Sequence, residues 1–316
     1  MIAKRTAGFL LLAATCGLLF YYALAVALGT GALLTALIGL VAASLLYGFY
    51  LEWPAVHAPH EGPVFPAKDL KLLVAVFVGA LASYWLNVNM QLGAVVAAAL
   101  VGVLAGVLLP AYGVPIYCGS FVGMASPKIL NQTEIILAAA VAGVIYVLAQ
   151  DVFNGFGGKL GTIACGACCL SAVLLGHPLL TGSVPGWDVG SRLILTSVVA
   201  AVLAYYVNVR MGKGAVLGSA IVGLAGGLVL PALFPEIGGS LATVCICASF
   251  AGMSSKARIS NEVAMAVAGV IVGLVFMFSS PYMGGAGGKL GTTAFGSVIA
   301  VNAAQKLVQK VGGQKS

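Results

Sequence analysis

Charge is what this sequence has least of. Only 7% of its 316 residues are Asp, Glu, Lys or Arg, eight of them acidic, and there are three histidines. With 61% of the residues hydrophobic, so few charges cannot cover a water-exposed surface, which excludes an ordinary soluble domain. The shortage restricts chemistry as well. There is no H-E-x-x-H, no G-x-S-x-G and no close carboxylate pair, so the residue sets of hydrolytic enzymes are missing and no enzyme is expected. His57, His60 and His177 all fall in loops. His57 and His60 with Glu61 form a conceivable surface metal site, but a solvated proline-rich loop is the simpler reading, and no cofactor is expected.

Disulfide chemistry is lacking too. Cys16, Cys118, Cys165, Cys168, Cys169, Cys245 and Cys247 sit in apolar segments rather than in loops, as reduced packing residues do. Cys118 with Met124 and Cys247 with Met253 offer soft ligands of the kind copper(I) takes. Their six-residue spacing puts the two sulfurs on different helical faces, and no histidine completes the set. The formal net charge of +7 comes from Lys and Arg scattered singly or in pairs in loops, without stacking aromatics. That pattern excludes a nucleic-acid partner and fits the basic bias of cytoplasmic loops.

What is abundant is apolar sequence. Runs of seventeen to twenty apolar residues recur nearly end to end, each long enough for a membrane-spanning helix. The expected fold is an all-α, polytopic transmembrane bundle, its first partner being the lipid bilayer. Lys4-Arg5 followed by the run from Ala7 to Ala27 has the outline of a signal peptide. The run is too long for one, and a second from Gly31 to Leu51 follows at once, so a retained hairpin over 1–51 is expected.

After residue 70 the chain matches itself at a shift of about 121 to 130 positions. Asn87-Val88-Asn89-Met90 and Gly93-Ala94-Val95 pair with Asn208-Val209-Arg210-Met211 and Gly214-Ala215-Val216. CGSFVGMAS (118–126) pairs with CASFAGMSS (247–255), and GGKLGT occurs at both 157–162 and 287–292. The organisation expected is a loop over 52–69, repeat 1 over 70–177, a Pro- and Gly-rich linker over 178–191, repeat 2 over 192–310 and a tail over 311–316. Each repeat has four long apolar segments and one short one, near 113–126 and 240–255. The short ones reach only about 21 to 24 Å at 1.5 Å per residue, against a hydrocarbon core of about 30 Å, and read as broken or re-entrant.

If the short segments cross, the repeats are inverted; if they do not, they are parallel. With twelve crossings and a cytoplasmic N-terminus, 12 of the 15 Lys and Arg fall inside, all but Lys128, Arg192 and Lys289, which favours inversion. Both termini are then cytoplasmic, in what is expected to be a bacterial inner membrane. Homo-oligomerisation is left open.

Small, polar residues at membrane depth survive only inside protein or against a watery cavity. The candidates for solute binding are therefore Ser120, Gly123 and Ser126 with Ser249, Gly252 and Ser255, and Phe121 and Phe250 could gate the path. Close helix packing through small residues is the plain alternative. In the GGKLGT blocks, Lys159 and Lys289 stand where helices begin, with Thr162 and Thr292 one turn on; a cation there is unfavourable unless an anion joins it. Leu160 and Leu290 occupy the position at which a phosphate loop needs Ser or Thr, so these are not nucleotide sites. Asn87 and Asn208 either bind solute or cap a helix. Glu134 and Glu262 stand near helix starts, as caps or as coupling groups, and Arg210 and Lys213 set topology. The function expected is transport of a small, anionic solute by alternating access between the repeats. A channel-like facilitator and a non-transporting scaffold are the alternatives.

Overall fold

The computed structural model describes residues 2–57 and 65–313; His60 and Glu61 lie outside this set. The described residues form twelve α-helices and no strand. They are α1 (Ile2–Leu28), α2 (Ala32–Glu52), α3 (Lys68–Tyr84), α4 (Ala94–Leu108), α5 (Gly113–Val122) and α6 (Ile135–Leu148), then α7 (Lys159–Leu174), α8 (Trp187–Tyr205), α9 (Ala215–Leu233), α10 (Gly238–Ala251), α11 (Glu262–Phe278) and α12 (Lys289–Gly313). A 3-10 turn, Trp53–His57, extends α2. Five helical stretches are long and apolar enough to cross a membrane: Ile2–Leu28, Ala32–His57, Lys68–Asn89, Trp187–Arg210 and Ala215–Leu233. Only 17 to 33% of the most apolar 18 residues of each is buried. Helices that are apolar all round yet mostly outward-facing are stable where the surroundings are hydrocarbon.

The interior belongs to the short helices. α5 and α10 are each one unbroken helix of 10 and 14 residues, about 15 and 21 Å long, where the sequence suggested a break. Each ends in an irregular turn. All of α5 from Tyr117 to Val122 is buried, as is α10 from Val244 to Ala251. α3 and α8 finish in π-helical turns, Trp85–Asn89 and Tyr206–Arg210. These turns aim Asn87 at Gly123 O and Asn208 at Gly252 O, both 3.0 Å away, so each asparagine satisfies a carbonyl at the end of a short helix. Tyr84 and Tyr205 donate their hydroxyls to Leu130 O and Ile259 O in the loops that follow the short helices.

The helix after each short segment is capped by an asparagine that the sequence reading passed over. Asn131 Oδ1 accepts from the amides of Thr133 and Glu134, and Asn261 Oδ1 accepts from that of Ala264. The Asn131 amide in turn donates to the Glu134 carboxylate at 2.9 Å, a reciprocal capping box. Glu262 is instead held by Arg210 through two hydrogen bonds, so Arg210 has a specific partner beyond its contribution to loop charge.

The α1–α2 hairpin ties the bundle together at one end. Lys4 pairs with Asp69 at 2.9 Å and Arg5 with Asp151 at 3.5 Å. Glu52 takes both Arg258 nitrogens, at 2.6 and 2.9 Å, and Lys306 at 3.6 Å. At the opposite end Tyr22 stacks on Tyr282 at 4.2 Å, His177 meets Glu134 at 2.8 Å, and Leu180 makes a two-bond main-chain pair with Gly284. Two element boundaries differ from expectation: α8 begins at Trp187, inside the span read as linker, and α12 runs on to Gly313, into the span read as tail. A glycine with extended backbone, Gly186, starts α8 at once.

Candidate functional site

The two GGKLGT blocks fold alike, and each seats against the other block's short helix. Upstream of each, a buried bulky residue takes a left-handed conformation, Phe153 and Met283, both with φ 53. Gly155 and Gly285 (φ 80 and 75) and Gly158 and Gly288 (φ 83 and 85) share that left-handed turn chemistry. A methyl group on Gly157 would strike the carbonyl oxygen of Phe250, and one on Gly287 that of Phe121. The pairing is stitched by main-chain bonds, Ser255 N to Gly155 O and Ser126 N to Gly285 O, both 2.9 Å.

At the centre α7 and α12 cross in their first turns. Gly158 packs on Gly291 and Phe295, and Gly288 on Gly161 and Cys165. The earliest residue of each helix meets later residues of the other, so the two run in opposite directions.

On either side of this crossing lies a cavity. The first, about 390 Å³, is lined by Tyr146, Gln150, Asn154, Lys159 and, from the later half of the chain, Ala215 and Met253. The second, about 290 Å³, is lined by Phe276, Ser280, Gly284, Lys289 and, from the earlier half, Ala94 and Met124. Position by position the two linings correspond in the aligned sequence. Lys159 Nζ donates to Gln150 O at 3.3 Å and Asn154 Oδ1 at 3.0 Å. Lys289 Nζ donates to Ser279 O at 2.8 Å, to Ser280 O at 3.4 Å and to Tyr282 O. Neither ammonium is in an ion pair among the described residues, and Asp151, which lines the first cavity, is engaged by Arg5. Neutral carbonyls orient a cation without cancelling its charge. The Lys289 cavity has no acidic residue in its lining, whereas Asp151 offsets part of the field of Lys159 in the other.

In the core, aromatic side chains of the two short helices pack together. The rings of Phe121 and Phe250 are 4.4 Å apart and that of Tyr117 stands 4.4 Å from Phe121; all three side chains are fully buried. Beside them runs a hydroxyl chain, Tyr117 to Ser219 at 3.1 Å and Ser219 to Ser249 at 2.9 Å, ending on Ile246 O at 2.8 Å. It has no counterpart in the other half, where Ile246, Ala98 and Ser120 stand at the corresponding positions.

Of the residues read from the sequence as solute-binding, Lys159 and Lys289 line the cavities and the others do not. Ser120 bonds Tyr117 O at 2.8 Å, and Thr162 and Thr292 bond back to Gly158 O and Gly288 O. Such local bonds are what a helix offers a buried hydroxyl. Ser126 and Ser255 are half-buried and meet the opposing loop through their amides, with Ser126 Oγ accepting from Lys128 N. Gly123 and Gly252 give α3 and α8 close backbone approach, since a side chain at either would collide with Tyr84 N or Tyr205 N. The serines and glycines expected to form a solute site make local hydrogen bonds and close helix contacts in this structure. Gln150, Asn154, Met124 and Met253 were missed. They lie next to the duplicated motifs, and aligned loop positions around GGKLGT were the signal that could have found them.

Comparison of the chain with protein-family models, with curated proteins and with solved structures finds no match.

Proposed function

We propose that the chain is a membrane transporter for a small anionic solute, working by alternating access between two inverted repeats. The observation that carries this reading is the pair of corresponding cavities. Each holds one lysine ammonium that makes no ion pair among the described residues, and on this reading the Phe121–Phe250 contact divides them. A cavity of 290 to 390 Å³ suits a small solute.

Inversion is supported by which loops touch. Arg5 meets Asp151 and Phe9 stacks on Phe153 at 4.6 Å. With twelve crossings these partners fall on one side of the membrane, whereas ten crossings would set them on opposite sides. The antiparallel crossing of α7 and α12 agrees with the first count. The end that gathers Lys4, Arg5, Arg258 and Lys306 is the basic one, so we assign it to the cytoplasm. On this reading the Lys159 cavity opens inward, the Lys289 cavity opens outward, and rocking of one repeat on the other exposes each in turn.

The closed aromatic contact favours a transporter over a standing pore. Uptake into liposomes across a panel of small anions and neutral solutes tests the proposal. Saturable uptake of an anion, with exchange against internal solute, is the expected result. Rapid non-saturating flux would make the chain a channel-like facilitator, and no flux across the panel would leave it a scaffold.

A further inference from the structure

Lysines at the start of α7 and α12 pose an electrostatic problem, because a helix N-terminus repels a cation. The structure shows how Lys289 escapes it. Its side chain folds away from its own helix and delivers the ammonium to the end of the preceding one, where Ser279, Ser280 and Tyr282 present three carbonyl oxygens. Ser279 is the residue that caps α11. Carbonyls past the last turn of a helix have no intrahelical partner and carry the negative end of its dipole, so they attract cations. An ammonium has three donors and no acceptor, and all three oxygens here accept. Lys159 repeats the arrangement less completely, on Gln150 O and Asn154 Oδ1, with Gln150 at the position of Ser280.

Stripped of the lysine, the Lys289 site is an oxygen-only cluster at a helix C-terminus, facing a cavity and free of carboxylates. Neutral oxygen ligands of this kind select a hard, singly charged cation such as potassium, sodium or ammonium. We infer that the carbonyl cluster of Ser279, Ser280 and Tyr282 is a monovalent-cation site held by the tethered ammonium of Lys289, so that the protein carries its own cation through the cycle and needs no coupling sodium or potassium. The second half of this inference rests on the transport reading above; the first half stands on the site alone. The carbonyls fix the position of the Lys289 ammonium and leave it beside the cavity.

The experiment is thermal unfolding of the purified full chain in detergent, in choline, sodium, potassium or ammonium chloride at one ionic strength. Wild type is expected to melt at the same temperature in all four salts, because its site is filled. Lys289→Ala is expected to melt lower in choline and to recover most of the loss, saturably, in at least one small-cation salt. Lys289→Arg, which keeps a tethered charge, should respond to none. Lys159→Ala should respond more weakly, having two oxygens in place of three.

Equal melting of Lys289→Ala in choline and in the small-cation salts overturns the site, as does a saturable cation effect on wild type. If Lys289→Ala fails to fold in choline, folding that is rescued by a small cation supports the site. Failure of both Lys289→Ala and Lys289→Gln in every salt overturns it. The coupling half is read from wild-type proteoliposomes with choline replacing sodium and potassium on both sides, where unchanged uptake is expected and loss of uptake refutes it. Wild type that moves no solute in any salt sinks the transport reading and its coupling corollary, while the melting result still decides the cation site.

Discussion

Phe121 and Phe250, 129 positions apart in sequence and both drawn from the duplicated S-F-x-G-M blocks, face each other with ring centroids 4.4 Å apart and planes inclined at 48°. An offset aromatic pair of this kind adds about 0.5–1.5 kcal/mol beyond its burial. On the proposed mechanism it also closes the way between the two lysine cavities, so stability and closure depend on the same two side chains.

Phe250→Ala is therefore expected to loosen both. Loss of a buried phenyl ring costs about 3–5 kcal/mol, lowering the melting temperature, and flux through the variant should rise and saturate less than that of wild type. Liposome flux beside a melting curve checks this. Unchanged flux in a folded variant would remove the gate.

The glycines packed against the carbonyls of this ring pair should be sensitive too, though less so than the rings. In Gly157→Ala and Gly287→Ala the new methyl meets the carbonyl of Phe250 or Phe121, and overpacking of this sort costs about 1–3 kcal/mol. Gly17→Ala, at a helical position with open space around it, should be neutral or slightly stabilising. Melting temperatures of the three variants suffice.

The Glu52–Arg258 pair joins the hairpin to the loop between α10 and α11, and Arg258 also donates to Asn154 O at 2.9 Å. Glu52 is buried while Arg258 is one-fifth exposed, at 21%, so the strain of a lone charge is partly relieved by water. Glu52→Gln should cost about 1–3 kcal/mol, and adding Arg258→Gln should cost less than the sum of the two single changes. A double-mutant cycle by thermal or denaturant unfolding measures the coupling, and strict additivity would show that the pair is idle.

Glu134 supplies a pH dependence. Its carboxylate accepts the Asn131 amide and meets the His177 ring, and those two contacts hold it below its ordinary value near 4.5. A carboxyl depressed in the folded state stabilises above that ordinary value, and the contribution disappears as pH falls through the folded one. Glu134→Gln should thus melt below wild type at neutral pH, and the gap should narrow as pH drops below about 4.5. A gap that stays constant to pH 3 would assign the loss to the capping geometry alone.

The sequence alone determined the apolar surroundings and showed a duplicated set of motifs. Composition left no route to a hydrated surface, and the length of the apolar runs set helices of spanning length. The recurrence of N-V-x-M, S-F-x-G-M and G-G-K-L-G-T marked positions whose contacts turn out to recur pairwise, Asn87 with Asn208 and Gly157 with Gly287 among them. Tertiary structure decided what those positions do. Ser120 and Thr162 read as ligands because their hydroxyls sit at membrane depth, yet a buried hydroxyl finds its nearest acceptor on its own helix. Lys289 read as an anion site because the sequence places it at a helix start; only folding shows the end of another helix within reach of its four-carbon stem. Periodicity and spacing report neighbours along the chain, whereas a cavity or a carbonyl cluster is made by segments that meet from a distance, and that meeting is fixed by packing alone.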